Sequence, residues 1–414
     1  MAFPRRTARR LKELMNGREI ILQFLSQNED RLLQFTRDLI AIPSPTPPGD
    51  ERAIAERIQQ ELDVLKLGRA EVVARQPDRP NLLSKLKGPR SNPSLIYNAH
   101  MDTKPVGNRA KWKYDPFDPV INNGTLFGLG AADMKSALAA MVYALAAVRQ
   151  AESLLQGELQ LLLCADEEGG SAFGVKYLAA AGLISGDVAL IGEACGIRQE
   201  LEYLHLSSRG ICCFRIRVAG DQMHSSLSEE FRAVNATVKA AELLCRFSRE
   251  FKLPNTVVNP GVIFQAGVFF GVNPGLAEFG CDLRVPPGAN EKAVRSKVES
   301  WLKLQHALDP VLRAELVWEP PPSTWIAPVE FPVRHPFVAA LTRACEQVLP
   351  AAPPIGCFPA ATDAPWFFAA GIPTIPAFGP GLLPLAHSPD ECVEITSLHA
   401  CARIYALAAI DYLS

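Results

Sequence analysis

Ser94-Leu95-Ile96-Tyr97-Asn98-Ala99-His100-Met101-Asp102 is the stretch that sets the fold class of this chain. A short apolar run without polar alternation reads as a strand buried on both faces, and this one ends in a histidine and an acid. The pattern returns. Glu158-Leu159-Gln160-Leu161-Leu162-Leu163-Cys164 runs through Ala165 into Asp166-Glu167-Glu168-Gly169-Gly170. Val188-Ala189-Leu190-Ile191 runs through Gly192 into Glu193, and Ile375-Pro376-Ala377-Phe378 runs through Gly379-Pro380-Gly381 toward His387. Helical patterns at Ser136–Arg149 and Gly174–Ala181 fall between the strands. Such alternation specifies an α/β fold, a mostly parallel sheet covered by helices. In open sheets of this kind the functional crevice lies beyond the carboxyl ends of the strands, where these polar residues should meet.

Working outward, residues 20–66 read as two helices around the Pro-rich turn Ile42-Pro43-Ser44-Pro45-Thr46-Pro47-Pro48-Gly49-Asp50. The texture changes near residue 207. Ile211-Cys212-Cys213-Phe214-Arg215-Ile216-Arg217-Val218 ends in the charged alternation of an antiparallel strand with one wet face. A helix at Ala233–Phe251, strands near Val257–Gln265 and Gly275–Val285, and a helix at Glu291–Leu308 follow. The α/β texture resumes at the helix Pro336–Val348, followed by a strand at Ile372–Phe378 and a closing helix at Ser397–Leu413. The expected organisation is a first domain in two parts, 1–206 and 321–414, with a second domain at 207–320 inserted and the Pro320–Pro322 segment as a boundary.

Composition narrows the function classes. The chain has 414 residues, 48% hydrophobic and 21% charged, which excludes wholesale disorder, collagen and a small disulfide scaffold. Lys+Arg 42 against Asp+Glu 44 leaves a net charge of -2, so no overall field draws the protein to nucleic acid or an anionic membrane. Ala137–Val148 is shorter than the ~20 residues that span a bilayer and reads as a buried helix. The 10 cysteines include no Cys-x-x-Cys pair and read mainly as core residues in a reducing, cytoplasmic setting. Arg5, Arg6, Arg9, Arg10, Lys12 and Arg18 make the start of the chain basic. A solvated leading helix is expected there, with an organelle-targeting segment as the alternative.

Taken singly, an acid after a strand is usually a helix cap or a solvated loop residue, and Asp133 in Gly128-Leu129-Gly130-Ala131-Ala132-Asp133-Met134-Lys135 is no exception. Glu167-Glu168 says more, because adjacent carboxylates at a strand end repel unless cations are near. His100-Met101-Asp102 says more again. In an extended segment residues i and i+2 share a face, so Asp102 can hold one imidazole nitrogen while the other binds metal. Two histidines with several carboxylates form a hard-to-borderline donor set that suits Zn²⁺ with open positions.

With these motifs in order along the chain, the sequence resembles the zinc-dependent family that groups acetylornithine deacetylase, succinyl-diaminopimelate desuccinylase, aminoacylase and glutamate carboxypeptidase. The resemblance is carried by Asn98–Thr103, Gly128–Lys135, Ala165–Gly170, Ile191–Glu193, Gly220–Ser226, Asp282–Gly288 and Ala386–Glu391. It implies a zinc-exopeptidase-like catalytic domain and an inserted α+β ferredoxin-like lid domain that often also forms a homodimer. It implies two zinc ions per subunit, with Co²⁺ as a possible substitute. Asp133 would bridge them, His100 and Glu193 completing one site, Glu168 and His387 the other. Asp102 would orient His100 and Glu167 would be the general base. His224 resembles a lid histidine that reaches an active site, commonly that of the other subunit, and Arg284 a residue that holds the substrate carboxylate. Loss of metal or base would mark a non-catalytic homologue, but Glu167 and all the ligands are present.

The chain also departs from the family. Gly271 stands where the family often has Asn, with Asn273 two residues on, and a Gly-Gly-Thr-Asp segment reads Ala360-Ala361-Thr362-Asp363. Asn273 and Asp363 therefore receive no role. Glu at the position of Glu193 resembles the members that cleave short N-acyl groups from amino acids, whereas many of the peptidases carry Asp. The implied function is hydrolysis of an N-acyl amino acid in amino-acid metabolism, with a dipeptidase or carboxypeptidase as the alternative. The acyl group and side chain are not specified.

Overall fold

The computed structural model describes residues 16–414. Most of the basic leader, Arg5 to Lys12, lies outside them. Residues 16–27 are helical, and Arg18 pairs with Asp411 of the closing helix. The chain divides into two compact units. The first comprises Met1–Ser207, Phe331–Phe358 and Thr362–Ser414; the second comprises Ser208–Glu330 with Pro359–Ala361.

In the first unit, helices α1 (Glu29–Ala41) and α2 (Arg52–Val64) precede strands β1 (Glu71–Ala74), β2 (Pro80–Lys87) and β3 (Ser94–His100). Helix α3 (Ser136–Gln150), strand β4 (Glu158–Cys164), helix α4 (Val175–Ala180) and strand β5 (Val188–Ile191) follow. With Thr374–Ile375 these strands form a six-stranded sheet in the order β1-β2-β4-β3-β5-(374–375). The central pairings β4–β3, β3–β5 and β5 with Thr374–Ile375 are parallel. The pairings β1–β2 and β2–β4 are antiparallel, so the sheet is mixed where a mostly parallel one was expected. For β1–β2 the cause is local: the two are joined by a turn closed by Arg79 N–H donating to Gln76 O, and so short a connection serves only antiparallel neighbours. The sequence reading missed both strands: β1 is short and largely exposed, and the apolar residues of β2 are interrupted by Ser84 and Lys85.

Helix α3 is buried on every side from Ser136 to Val148, as its unbroken apolar sequence requires. Together with the helical turn before it, α3 makes a segment, Ala131–Gln150, long and apolar enough to cross a membrane by composition, yet its apolar stretch is buried inside the protein. Its alanines allow close packing against the sheet and against the closing helix. Tyr97 of β3 donates its hydroxyl to Tyr405 O at 2.5 Å, and Tyr405 donates to Phe378 O at 2.6 Å. Each buried phenol thus finds a partner, and the central strand is tied to the last helix.

The second unit contains strand β6 (Gly210–Ala219), helix α5 (Ala236–Glu250), strands β7 (Val257–Ala266) and β8 (Leu276–Val285), helix α6 (Glu291–Leu308) and strand β9 (Ala314–Trp318). The strands form one antiparallel sheet ordered β7-β8-β6-β9. Burial alternates residue by residue along β6, the signature of a sheet with one packed face. The unit continues past Pro320–Pro322, because Cys213 N–H donates to Ser323 O at 3.0 Å and Ile211 exchanges hydrogen bonds with Ile326. Its core centres on Phe247, which is fully buried, stacked on Phe251 and edge-on to Phe214 and Trp301. Phe247→Ala should cost about 3–5 kcal/mol from lost transfer energy and the cavity left behind. Chemical denaturation followed by tryptophan fluorescence should show the transition of this unit at lower denaturant.

Candidate metal centre

The register of the three central parallel strands builds the site. His100 pairs with Cys164 and Asn98 with Ile191, so β3, β4 and β5 end on one level. The residues just beyond those ends, His100 to Asp102, Asp166 to Glu168, and Glu193, therefore come together at one sheet edge. Gly192 is required for the last of these, because a Cβ there would lie 2.8 Å from Ala137 and 2.9 Å from Met134 and Met141.

Asp133 is the centre of the arrangement. Its Oδ1 lies 2.9 Å from His100 Nε2 and its Oδ2 lies 3.0 Å from His387 Nε2. Glu193 Oε1 stands 3.6 Å from His100 Nε2, and Glu168 Oε1 stands 3.0 Å from His387 Nε2. The result is two donor groups, His100–Asp133–Glu193 and Asp133–Glu168–His387, each with its donor atoms within 4.8 Å of one another. Imidazole nitrogens and carboxylate oxygens are the donors expected for a zinc-type ion, and sharing Asp133 through different oxygens suits a bridged pair. The electrostatics point the same way. Burial alone would lower the pKa of His387, but Asp133 and Glu168 raise it to about 10. Burial likewise opposes a charge on His100, yet Asp133 and Glu193 push its pKa well above the ordinary value. A field that stabilises cationic imidazoles to this extent stabilises a bound cation.

Asp102 is fully buried, and its main-chain oxygen lies 3.0 Å from His100 Nδ1 while its carboxylate Oδ1 stands at 3.6 Å. The carboxylate instead accepts the N–H of Glu167 at 3.1 Å and of Glu168 at 3.2 Å. Burial raises its pKa to about 6. Asp166, with φ 66, closes the turn by accepting the Ser171 N–H on its main-chain oxygen at 2.6 Å. Asp tolerates this left-handed backbone better than most residues. Burial, reinforced by Asp363, Glu193 and Glu168, pushes the pKa of Glu167 well above the carboxylate range, which is the direction that strengthens a carboxylate as a proton acceptor.

Several residues around this centre were not singled out in advance. Lys104 pairs with Glu168 Oε2 at 2.9 Å. The i, i+2 alternation that placed His100 and Asp102 on one face extends to Lys104, and that was its signal. Glu391, buried and with a pKa raised by burial to about 8, accepts the N–H of Ala132 and of Asp133 on one oxygen, both at 2.9 Å. Asp363, left without a role by the sequence, is buried and accepts the Ser171 hydroxyl. Arg79, also buried, donates to Glu51 at 2.7 and 2.8 Å and to Asp166 and Thr46 at 3.1 Å. Nothing local in the sequence marks these long-range pairs.

Within the second unit, His224 is exposed in a two-residue strand paired with Val272. Its Nδ1 accepts the Ser226 N–H at 3.3 Å and lies 2.7 Å from Ser226 Oγ. That network assigns the ring proton to Nε2 in the neutral form. Arg284 on β8 donates from Nε and Nη2 to Asp282 Oδ2 at 3.1 and 2.9 Å. Asn273 is buried, and its side-chain amide donates to Asp221 O at 2.6 Å and Val234 O at 3.2 Å, which explains it as a loop anchor.

Fold and site together describe a metal-dependent hydrolase, and the comparisons with known proteins agree. The model of peptidase family M20/M25/M40 matches residues 96–411, and the chain belongs to that family. It is a hydrolase acting on amides. The chain is 28% identical over 409 residues, 92% of its length and 94% of the relative's, to the N-formyl-4-amino-5-aminomethyl-2-methylpyrimidine deformylase of Bacillus subtilis. It is 32% identical over 301 residues to the succinyl-diaminopimelate desuccinylase of Xanthomonas euvesicatoria, covering 70% of this chain and 77% of that one. Its fold is similar to that of the M20 family metallo-carboxypeptidase Sso-CP2 from Sulfolobus solfataricus, with TM-score 0.74 at 17% identity, covering 92% of this chain and 99% of that chain.

The donor set makes a direct prediction. Metal-replete protein should hold about two divalent ions per chain by elemental analysis, the number that two-metal hydrolases use. Glu168→Gln should lower that occupancy, whereas Glu167→Gln should leave it unchanged.

Proposed function

We propose that the protein is a deacylase that hydrolyses the amide of an N-acyl amino acid or a similar N-acyl amine, using two metal ions, zinc foremost, and Glu167 as general base. The observation that carries this reading is Asp133, whose two oxygens face the histidines of two separate donor groups. The relatives' names support deacylation over peptide cleavage: a deformylase and a desuccinylase each remove an acyl group from nitrogen.

When bound, the metal pair supplies Lewis acidity, which polarises the amide carbonyl and acidifies the attacking water. Glu167 takes the proton from that water at its carboxylate and delivers it to the leaving nitrogen. Its raised pKa makes it the stronger proton acceptor in the first transfer, and the leaving amine then needs that proton because it departs poorly without one. Asp102 fixes Glu167 and Glu168 through consecutive N–H groups, so the base and the neighbouring ligand share one anchor. His224, with its proton on Nε2, is the proposed donor to the oxygen that becomes negative as the amide is attacked. Arg284, with one edge held by Asp282, is the proposed partner of the substrate carboxylate.

The second unit is the proposed lid and the proposed homodimer contact. Strand β7 is the sheet's edge, with Val257, Val262 and Phe264 exposed, and the following turn carries Val268, Phe269 and Phe270 at 77%, 77% and 94% exposure. An apolar edge of this kind is normally covered. Ten free cysteines support the cytoplasmic assignment.

A panel of N-formyl-, N-acetyl- and N-succinyl-amino acids alongside dipeptides, assayed with added Zn²⁺ or Co²⁺, tests the substrate class. Turnover confined to dipeptides would assign the chain to the peptidases instead. Glu167→Gln should lose most turnover with metal still bound, because an amide cannot accept the proton. Wild-type turnover in that variant would remove Glu167 as the base.

His224→Ala should fold, keep its metal and lose about 10²–10³ in kcat, with KM changed less, as for loss of one oxyanion donor. If the histidine serves the partner's site, mixing His224→Ala with Glu167→Gln chains should restore part of the activity. No rescue after verified subunit exchange would place it in its own subunit's reaction.

A further inference from the structure

Among the described residues, Lys104 is the only lysine or arginine ion-paired with one of the candidate metal ligands. It divides the two oxygens of Glu168. Oε1 lies 3.0 Å from His387 Nε2, within the group that Asp133 completes, and Oε2 lies 2.9 Å from Lys104 Nζ. The same ammonium donates to the main-chain oxygen of Glu168. The backbone that carries Lys104 is itself fixed. Thr103 N–H donates to Ser44 O at 3.0 Å, and Thr46 N–H donates to Thr103 O at 2.8 Å. The Glu168 side chain is 4% exposed and that of Lys104 36%, so a substitution at Lys104 disturbs little of the core.

We propose that Lys104 is a positioning residue that locks Glu168 so that only Oε1 is presented to the metal of the Asp133–Glu168–His387 group. The inference rests on the two-metal reading given above. A carboxylate free to turn about its last bond can chelate through both oxygens, bind through either, or swing away. Holding Oε2 and the main-chain oxygen with one ammonium removes those alternatives before the metal arrives. A protonated amine has no lone pair and cannot take the ligand's place.

Two effects of the cation oppose each other. It orients a ligand, and it repels an incoming metal. Orientation dominates for two reasons. Lys104 pairs with the oxygen of Glu168 that is not the one facing His387, and the carboxylates of Asp102, Asp133, Glu167 and Glu193 crowd the same centre around that single ammonium. Groups that orient a metal ligand in this way are typically worth about 10–100-fold in metal affinity. A direct role in holding a substrate carboxylate is the weaker assignment, since two of the three N–H donors of the ammonium already serve Glu168.

The test is metal binding rather than turnover. Chelator-stripped full-length protein is titrated with Co²⁺ by visible absorption and with Zn²⁺ by calorimetry, for the wild type, Lys104→Met, Lys104→Gln and Lys104→Arg. The neutral variants should bind one ion with near wild-type affinity and the other about 10–100-fold more weakly. Lys104→Arg, which keeps the charge and the donors, should recover most of the loss. Circular dichroism of the stripped proteins should be the same for all four. Wild-type affinity for both ions in folded Lys104→Met and Lys104→Gln would overturn the proposal. So would unchanged metal binding with a raised KM confined to substrates bearing an extra carboxylate. If the wild-type chain takes up no Co²⁺ or Zn²⁺, the two-metal reading itself fails; if it takes up two and the neutral variants match it, only the role of Lys104 fails.

Discussion

The constraint on which the rest of the structure depends is the crowding of like charge at one sheet edge. The carboxylates of Asp102, Asp133, Glu167, Glu168 and Glu193 converge there, most of them buried. Two like charges about 4 Å apart repel by about 4 kcal/mol at an effective dielectric of 20. Such a cluster persists only if positive charge and N–H groups face it. The protein supplies His100, His387 and Lys104 as counter-charges and main-chain N–H groups as local donors. The carboxylates raise the pKa of both histidines against the effect of burial, and the same surroundings would favour divalent cations.

The scaffold behind the centre does the same work at longer range. Arg79 sits in the interior with Glu51 and Asp166 on its donors, and Gly49 leaves room for it, since a Cβ there would fall 2.0 Å from Nη1. This hub joins the Pro-rich turn to the residue that precedes Glu167. Removing one partner from such a buried network would leave a charge uncompensated, at a cost of about 3–5 kcal/mol. Glu391 acts on the opposite side. By accepting two consecutive N–H groups it fixes the backbone at Asp133, the residue both donor groups share. The centre is therefore held from the turn at residues 166–171 and from the loop before α3, with the sheet between them.

The donor set was legible because each of its residues follows an apolar strand or opens a helix, and strand ends in such sheets gather at one edge. His100, Glu168, Glu193 and Asp133 come from such positions, and only His387 needed a longer loop. The helices were legible from their apolar faces: α3 is apolar all round, and the closing helix is apolar over most of its surface, with Arg403 and Asp411 on its polar side. Strands β1 and β2 were not, because β1 is exposed and its pairing is decided by a short turn. Arg79 and Glu391 were not, because their partners stand far away in sequence, and a lone Arg or Glu in a loop carries no periodic signal. The end of the second unit was misplaced at the prolines because main-chain pairing of Cys213 with Ser323 and Ile211 with Ile326 continues beyond them.

The adjacency of Glu167 and Glu168 has a mechanical meaning that spacing alone does not disclose. Neighbouring residues in an extended segment point to opposite faces, so a base and a ligand could not serve one centre from a strand. The chain turns sharply at Asp166 instead, and Asp102 receives the N–H groups of both glutamates on its two oxygens. One buried carboxylate thus sets the position of Glu167, the proposed base, and of Glu168, the proposed ligand, together. Asp102 follows His100 by two residues, and its main-chain oxygen lies against the His100 ring. The ring of one donor group, a carboxylate of the other and Glu167 are consequently tied to a single short segment at the end of β3. A rigid sheet strand, rather than a set of independent loops, therefore carries the anchor that these residues share.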